Sequence, residues 1–193
     1  ETMPKKLTAH TGMDAMTHAI EAYVSTLHCE YTDPLALHAI ELISEYLIPS
    51  YNGDMDARAK MHDAQCLAGQ AFSNALLGIV HSMAHALGAV YDTPHGVANA
   101  ILLPTVMEYN APCTGTKYKD IAVAMGVEGV ENMSQEEYRK AAVDAVKKLS
   151  ADVGIPADLK AIVKAEDVDF LAQSAMDDAC RPGNPKDPTF EDI

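Results

Sequence analysis

The 193-residue sequence predicts an all-α, bundle-like fold. Apolar residues recur at the three- and four-residue spacing that places them on one face of a helix, and no stretch alternates apolar and polar residues for long enough to indicate a strand. Capping residues and prolines divide the chain into segments of helical length. Because 48% of the residues are hydrophobic, the chain can fill a sizeable core. We expect one helical domain over residues 1–193.

Most of the predicted helices have a recognisable start or stop signal. Thr11 and Asp14 resemble a capping box that opens the first helix, and Asp33-Pro34 combines a helix-capping residue with a proline suited to the first helical position. The helices that follow are predicted over residues 35–48 (ending at Pro49), 54–72, 79–90, 97–109, 117–125, 134–153 and 167–179.

The chain is acidic, with 14 Lys and Arg against 28 Asp and Glu and a formal net charge of −14. Such a surface repels phosphate backbones, so we expect no nucleic-acid partner. No apolar run approaches the roughly 20 residues that span a bilayer, so we expect no membrane partner. The four cysteines lie far apart and form no C-x-x-C pair, which favours a cytoplasmic protein without a disulfide framework. Because the chain begins with Glu1, we expect it to be part of a longer protein.

Asp14 and His18 are the first candidates for chemistry. Residues four apart on a helix share one face, so a carboxylate and an imidazole at this spacing can chelate one cation, as the paired histidines of H-E-x-x-H helices do. The alternative is an ordinary hydrogen bond or a histidine satisfied within the core.

A second group of histidines follows in the middle of the chain. His81 and His85 share one face of an otherwise apolar helix, and His95 lies in the turn-forming sequence Pro94-His95-Gly96. A buried imidazole without a partner costs about 1–3 kcal/mol, so these side chains require hydrogen bonds or a metal. The alternative is a polar cluster that packs one helix against another.

Asp14, His18, His81 and His95 together offer one oxygen and three nitrogens, a donor set that suits Fe(II) or Zn(II) better than Ca²⁺ or Mg²⁺. His85 lies one helical turn after His81, and we interpret it as a group that supports a ligand or handles a proton. Two alternatives stay open: a phosphohydrolase of the HD type that uses His18, His62, Asp63 and a later Asp, and a helical interaction domain without catalysis. The chain contains no G-x-G pair, so it cannot build the usual phosphate-binding loop of a dinucleotide site.

Two long stretches resemble the signature sequences of the iron-containing (group III) alcohol dehydrogenases. These are TGMDAMTHAIE at residues 11–21, within a similar stretch over 4–21, and GIVHSMAHALGAVYDTPHGVANAILLP at residues 78–104. The resemblance implies the C-terminal helical half of such an enzyme, which is similar to dehydroquinate synthase. It also implies that the N-terminal dinucleotide-binding domain is absent from this chain, and that the chain alone is inactive.

The same resemblance assigns roles to residues of this sequence. It makes Asp14, His18, His81 and His95 the metal ligands and places His85 beside the nicotinamide and the substrate, as a catalytic and cofactor-binding residue. It places Phe72 and Cys180 in the wall of the substrate cavity. The implied cofactors are Fe²⁺ or Zn²⁺ and NAD(P), and the implied substrates are small alcohols, aldehydes or diols such as 1,2-propanediol and lactaldehyde. The intact enzyme is expected to be a homo-oligomer.

Overall fold

A computed structural model describes residues 2–193 of the chain. Within this range it contains eight α-helices, joined by turns and short 3₁₀ segments, and no β-strand. The helices are α1 (Lys5–Val24), α2 (Thr32–Tyr51), α3 (Met55–Ala75), α4 (Ile79–Tyr91), α5 (His95–Asn110), α6 (Lys117–Ala124), α7 (Gln135–Asp152) and α8 (Val168–Met176). The prediction of an all-α fold is therefore confirmed. No helix in the described range combines the length and the hydropathy that crossing a lipid bilayer requires.

Helix α1 lies at the centre of the packing. It contacts α2 and α3, which also pack against each other, and on another side it contacts α5. Its apolar residues Met13, Met16 and Ile20 are fully or almost fully buried. Helix α5 in turn packs against α4 and α7, and α4 packs against α8. Side chains of α1 meet α4 and α5 at the point where these three helices come together.

Helix α1 begins earlier than the sequence predicts. The helix starts at Lys5, after Pro4, and the Thr11 hydroxyl donates to the Leu7 carbonyl within the helix. The prediction that Thr11 and Asp14 open a helix is therefore wrong. A threonine side chain can bond the carbonyl of the preceding turn as readily as it caps a helix, and the sequence pattern does not separate the two roles.

Helix α2 continues through the proline that was expected to end it. It runs from Thr32 to Tyr51 with Pro49 inside. Pro49 lies in the last turn, where its carbonyl accepts hydrogen bonds from the N–H groups of Asn52 and Asp54. A proline in the last turn removes only one hydrogen bond of the helix, so the helix ends at Tyr51, three residues later than predicted.

Among the other boundaries that differ from the prediction, two affect the site. His95 is the first residue of α5, with Pro94 at the capping position, rather than part of a turn before the helix. Helix α8 ends at Met176, so Asp178 and Cys180 lie in the connection beyond it. In contrast, the predicted capping box of Ser134 and Glu137 at the start of α7 is present.

Gly96 allows the closest approach between α5 and α1. A Cβ atom at Gly96 would lie 2.1 Å from the carbonyl oxygen of His10 in the α1 backbone. Because this neighbour is backbone rather than a movable side chain, α5 can lie this close to α1 only where it has no side chain.

We therefore expect Gly96→Ala to lower the free energy of unfolding by about 1–3 kcal/mol, since the two backbones must separate. Gly69→Ala is the matched control: Gly69 lies within α3 and a Cβ there meets no atom within 4 Å. That change should leave stability unchanged or raise it by up to about 1 kcal/mol, because alanine is the better helix former. Urea denaturation of the variants measures both effects. Equal midpoints for Gly96→Ala and the wild type would show that the two helices need not approach so closely.

Candidate metal centre

Four side chains from three helices converge at the junction of α1, α4 and α5. Asp14 and His18 come from α1, His81 from α4 and His95 from α5, and each places a ligand-capable atom within 4.8 Å of the others. Asp14 Oδ1 lies 3.5 Å from His95 Nε2, and Asp14 Oδ2 lies 4.0 Å from His18 Nδ1. The structure thus brings together the four residues that the sequence singled out.

His18 lies between two rings. It stacks on Phe72 with 4.4 Å between centroids and on His81 with 4.6 Å between centroids. Burial, reinforced by the neighbouring His81, lowers the pKa of His18 to about 4. The His18 ring is therefore neutral at pH 7 and keeps a lone pair for a ligand. Phe72, which was expected in the wall of a substrate cavity, lies against His18, a candidate metal ligand.

Glu21 forms a buried pair with His81. Glu21 Oε2 lies 2.5 Å from His81 Nδ1, and Glu21 Oε1 accepts a 2.8 Å hydrogen bond from the Val80 backbone N–H. Sequence analysis did not single out Glu21. Its position seven residues after Asp14 and three after His18 was a usable signal, since those spacings place all three on one face of α1.

Asn99 was also missed, and it lies against the cluster. Its Nδ2 is 2.6 Å from Asp14 Oδ1, 3.1 Å from His81 Nε2 and 3.0 Å from His95 Nε2. An amide nitrogen has only two hydrogens, so it cannot satisfy three acceptors at once. Its buried Oδ1 has no hydrogen-bond partner among residues 2–193.

This arrangement fits a divalent cation. Asp14 Oδ1 and the Nε2 atoms of His81 and His95 surround a single donor nitrogen, so at most two of these three atoms can accept a hydrogen from it. Burial also lowers the pKa of His95, which favours its neutral, ligating form. One carboxylate with three imidazoles is a donor set that both Fe(II) and Zn(II) accept, and the residues present fit such an ion.

His85 belongs to a neighbouring group instead. Its ring stacks on His95 with centroids 5.5 Å apart, while its Nδ1 lies 2.8 Å from Asp178 Oδ2. Asp178 Oδ1 also accepts a 2.8 Å hydrogen bond from the Cys180 backbone N–H. Burial and the Asp178 carboxylate raise the pKa of Cys180 to about 12, so the thiol is protonated at neutral pH. Asp178 was not predicted to be a site residue, because the sequence placed it within the helix predicted over residues 167–179.

The residues of the HD-type alternative lie elsewhere. His62 and Asp63 are exposed on α3, and within residues 2–193 neither belongs to a cluster of metal-ligating side chains. The structure therefore does not bring them to His18, as a phosphohydrolase of that type requires.

Comparison with known proteins agrees with this geometry. Residues 8–193 match the C-terminal part of the Fe-containing alcohol dehydrogenase family. The chain is 56% identical over 192 residues to lactaldehyde reductase of Escherichia coli strain K12, covering 99% of this chain and 50% of that protein. It is 53% identical over 191 residues to an NADPH-dependent butanol dehydrogenase of Clostridium saccharobutylicum, covering 96% of this chain and 48% of that protein.

Solved structures show the same relationship. A 1,3-propanediol oxidoreductase structure superposes with a TM-score of 0.96 at 44% identity, covering 98% of this chain and 50% of that one. An alcohol dehydrogenase from Oenococcus oeni gives a TM-score of 0.96 at 44% identity, covering 99% and 50%. The chain spans about half the length of the curated relatives it matches. The predicted resemblance is thus confirmed: the chain belongs to the Fe-containing alcohol dehydrogenase family and corresponds to its C-terminal part.

Proposed function

We propose that this chain is the metal-binding half of an NAD(P)-linked dehydrogenase that interconverts small alcohols or diols and their aldehydes. The observation that carries the proposal is the convergence of Asp14, His18, His81 and His95 within 4.8 Å of one another. The names of relatives support the substrate class, since they include a lactaldehyde reductase and a butanol dehydrogenase. Lactaldehyde and 1,2-propanediol are accordingly the first substrates to test.

Asp14, His18, His81 and His95 would hold Fe²⁺ or Zn²⁺. When bound, such a cation supplies Lewis-acid polarisation of the substrate oxygen. The donor set itself carries one formal negative charge, because only Asp14 is ionised when the imidazoles are neutral. It therefore compensates one of the two charges of a divalent ion, and the Glu21 carboxylate beside His81 adds a second negative charge close to the centre.

His85 is suited to exchange a proton with the substrate oxygen. Its side chain is 46% exposed and lies beside the cluster, and Asp178 accepts from Nδ1 when that nitrogen carries the proton. Nε2 is then left to accept or return a proton, with solvent as the final source or sink. Asp178 holds the ring in this orientation, and Cys180 with its protonated thiol lies beside both groups.

A nicotinamide cofactor requires a second domain. The chain has no G-x-G pair, so we place dinucleotide binding in an N-terminal domain of the parent protein and residues 1–193 in one helical metal domain. The substrate would bind between the two, with Phe72 and Cys180 in its surroundings and His85 facing the nicotinamide. Without that domain the chain is not expected to transfer hydride. We further propose that the intact enzyme is a cytoplasmic homo-oligomer.

The metal site is testable on the chain itself. Purified chain should bind one Zn²⁺ or Fe²⁺, and free metal at about 100 times the dissociation constant should add about 2.7 kcal/mol of stability that a chelator removes. His18→Asn and His81→Ala should abolish both effects, because each removes a ligand. His62→Asn is the control and should bind like the wild type. Loss of binding in His62→Asn alone would favour the HD-type site, and no binding in any form would favour the interaction domain.

The role of His85 is testable in the intact enzyme. His85→Ala should lower kcat by about 100-fold, the lower end of what positioned proton transfer contributes, while metal content stays near one per chain. Asp178→Asn should lower kcat less, since the ring keeps a hydrogen-bond partner but loses the charged one. Steady-state kinetics with metal analysis measures both. Loss of metal from His85→Ala would instead make His85 part of the metal site.

The lowered pKa of His18 makes the stability of the metal-free chain depend on pH. The unfolded chain takes up a proton at His18 near pH 6.5, whereas the folded chain does so only near pH 4. Acid therefore favours unfolding, and this one group should remove about 3 kcal/mol between pH 7 and pH 4. His18→Asn should show a correspondingly shallower loss in urea denaturation with chelator present. Parallel stability curves for the two proteins would contradict this assignment.

A further inference from the structure

We propose that Glu21 is the positioning residue that orients His81 and sets its tautomer, so that Nε2 is available to the cation. This inference rests on the proposed function, since it concerns how the metal centre is prepared. Glu21 is not one of the four candidate ligands, and it acts only through His81.

The carboxylate of Glu21 bridges α1 and the start of α4. Its side chain is 3% exposed and that of His81 is 1% exposed, so water does not compete for their contacts. Glu21 accepts from the Val80 N–H with one oxygen and contacts His81 Nδ1 with the other. Two successive residues of α4 are thus held by one side chain of α1.

Close packing leaves the carboxylate little freedom. A Cβ atom at Gly78 would lie 2.8 Å from Glu21 Oε1 and 2.8 Å from Asn184 Oδ1. Gly78 therefore makes room for both side chains at the start of α4. The N-terminal end of a helix favours negative charge, so this is a place where a buried carboxylate is stabilised.

The contact with Glu21 assigns the tautomer of His81, and the contact with Asn99 is compatible with it. Glu21, as a carboxylate, can only accept, so the proton lies on His81 Nδ1. On the other side of the ring, the Asn99 amide nitrogen lies 3.1 Å from Nε2, and a donor at that position is compatible with a lone pair on Nε2. That lone pair faces Asp14 and His95, which Asn99 also contacts.

Glutamine at position 21 would reverse this arrangement at almost unchanged volume. Its single oxygen can keep the bond from Val80, and its NH₂ group would then donate to His81 Nδ1. The His81 proton would move to Nε2 and point at the other ligands. A cation could bind His81 Nε2 only after the ring gave up its hydrogen bond from the glutamine or moved its proton back to Nδ1. Carboxylate partners of metal-binding histidines typically contribute 10- to 100-fold in metal affinity.

The test measures the Zn²⁺ dissociation constant of the chain by competition with a chromophoric chelator. Glu21→Gln should weaken binding by about 10- to 100-fold. Because His81→Ala should itself abolish binding, the dependence on His81 is tested on the metal-free chain. Asn184→Ala is the matched control: Asn184 accepts from Ile79 N–H at the same helix start, but it has no contact with His81, so its binding should stay within about threefold of wild type.

A readout without metal tests the tautomer directly. In chain labelled with ¹⁵N-histidine, His81 should show the Nδ1–H form in the wild type and the Nε2–H form in Glu21→Gln. If Glu21→Gln does not fold, Glu21→Asp replaces it, and its affinity should fall because the shorter carboxylate cannot reach both partners.

The outcomes separate the two proposals. A wild-type chain that takes up no Zn²⁺ overturns the proposed metal centre and this inference together. A wild-type chain that binds Zn²⁺, with an equal dissociation constant for the Glu21 variant, overturns this inference alone. An Nδ1–H form of His81 that is unchanged in Glu21→Gln would likewise contradict it.

Discussion

The crowding of lone pairs at one point between three helices is the constraint on which the rest of this structure depends. Asp14, His81 and His95 all direct acceptor atoms at the Asn99 amide nitrogen, and His18 closes the group. The His81 side chain is 1% exposed, and an acceptor so well buried costs free energy when it lacks a donor. Such an arrangement is stable when a positive charge completes it, and this is the physical basis for assigning a metal centre here.

Several features of the fold serve this convergence. Gly96 allows the backbone of α5 to approach α1, which brings His95 to the side chains of α1. Phe72 from α3 stacks on His18 and restricts its rotation. On the exposed side, Asp178 holds His85 beside the cluster. The inner group of four candidate ligands is therefore suited to holding an ion, and His85 outside it is suited to moving a proton. The acidic partners Glu21 and Asp178 thus act on different histidines and in different ways.

Helical periodicity was sufficient to predict the all-α fold, and the i, i+4 spacing was sufficient to place Asp14 beside His18 on one face. The supporting residues were not predictable in this way. Glu21 meets His81 across 60 positions of sequence and Asp178 meets His85 across 93, and such contacts depend on how the helices cross rather than on local spacing. The start of α1 at Lys5 was not predicted, because Thr11 inside the helix has the sequence pattern of a capping threonine. Asp178 lies beyond α8 because that helix ends at Met176, whereas the sequence predicted a helix that continued to residue 179.

A crystal structure of the chain grown with Fe²⁺ or Zn²⁺, with anomalous data collected at the edge of that metal, tests the central claim most directly. We expect one anomalous peak bonded to Asp14, His18, His81 and His95, with the Asn99 amide displaced from the atoms it now contacts. A peak at His62 and Asp63, or well-ordered density for the four side chains with no peak between them, would contradict it.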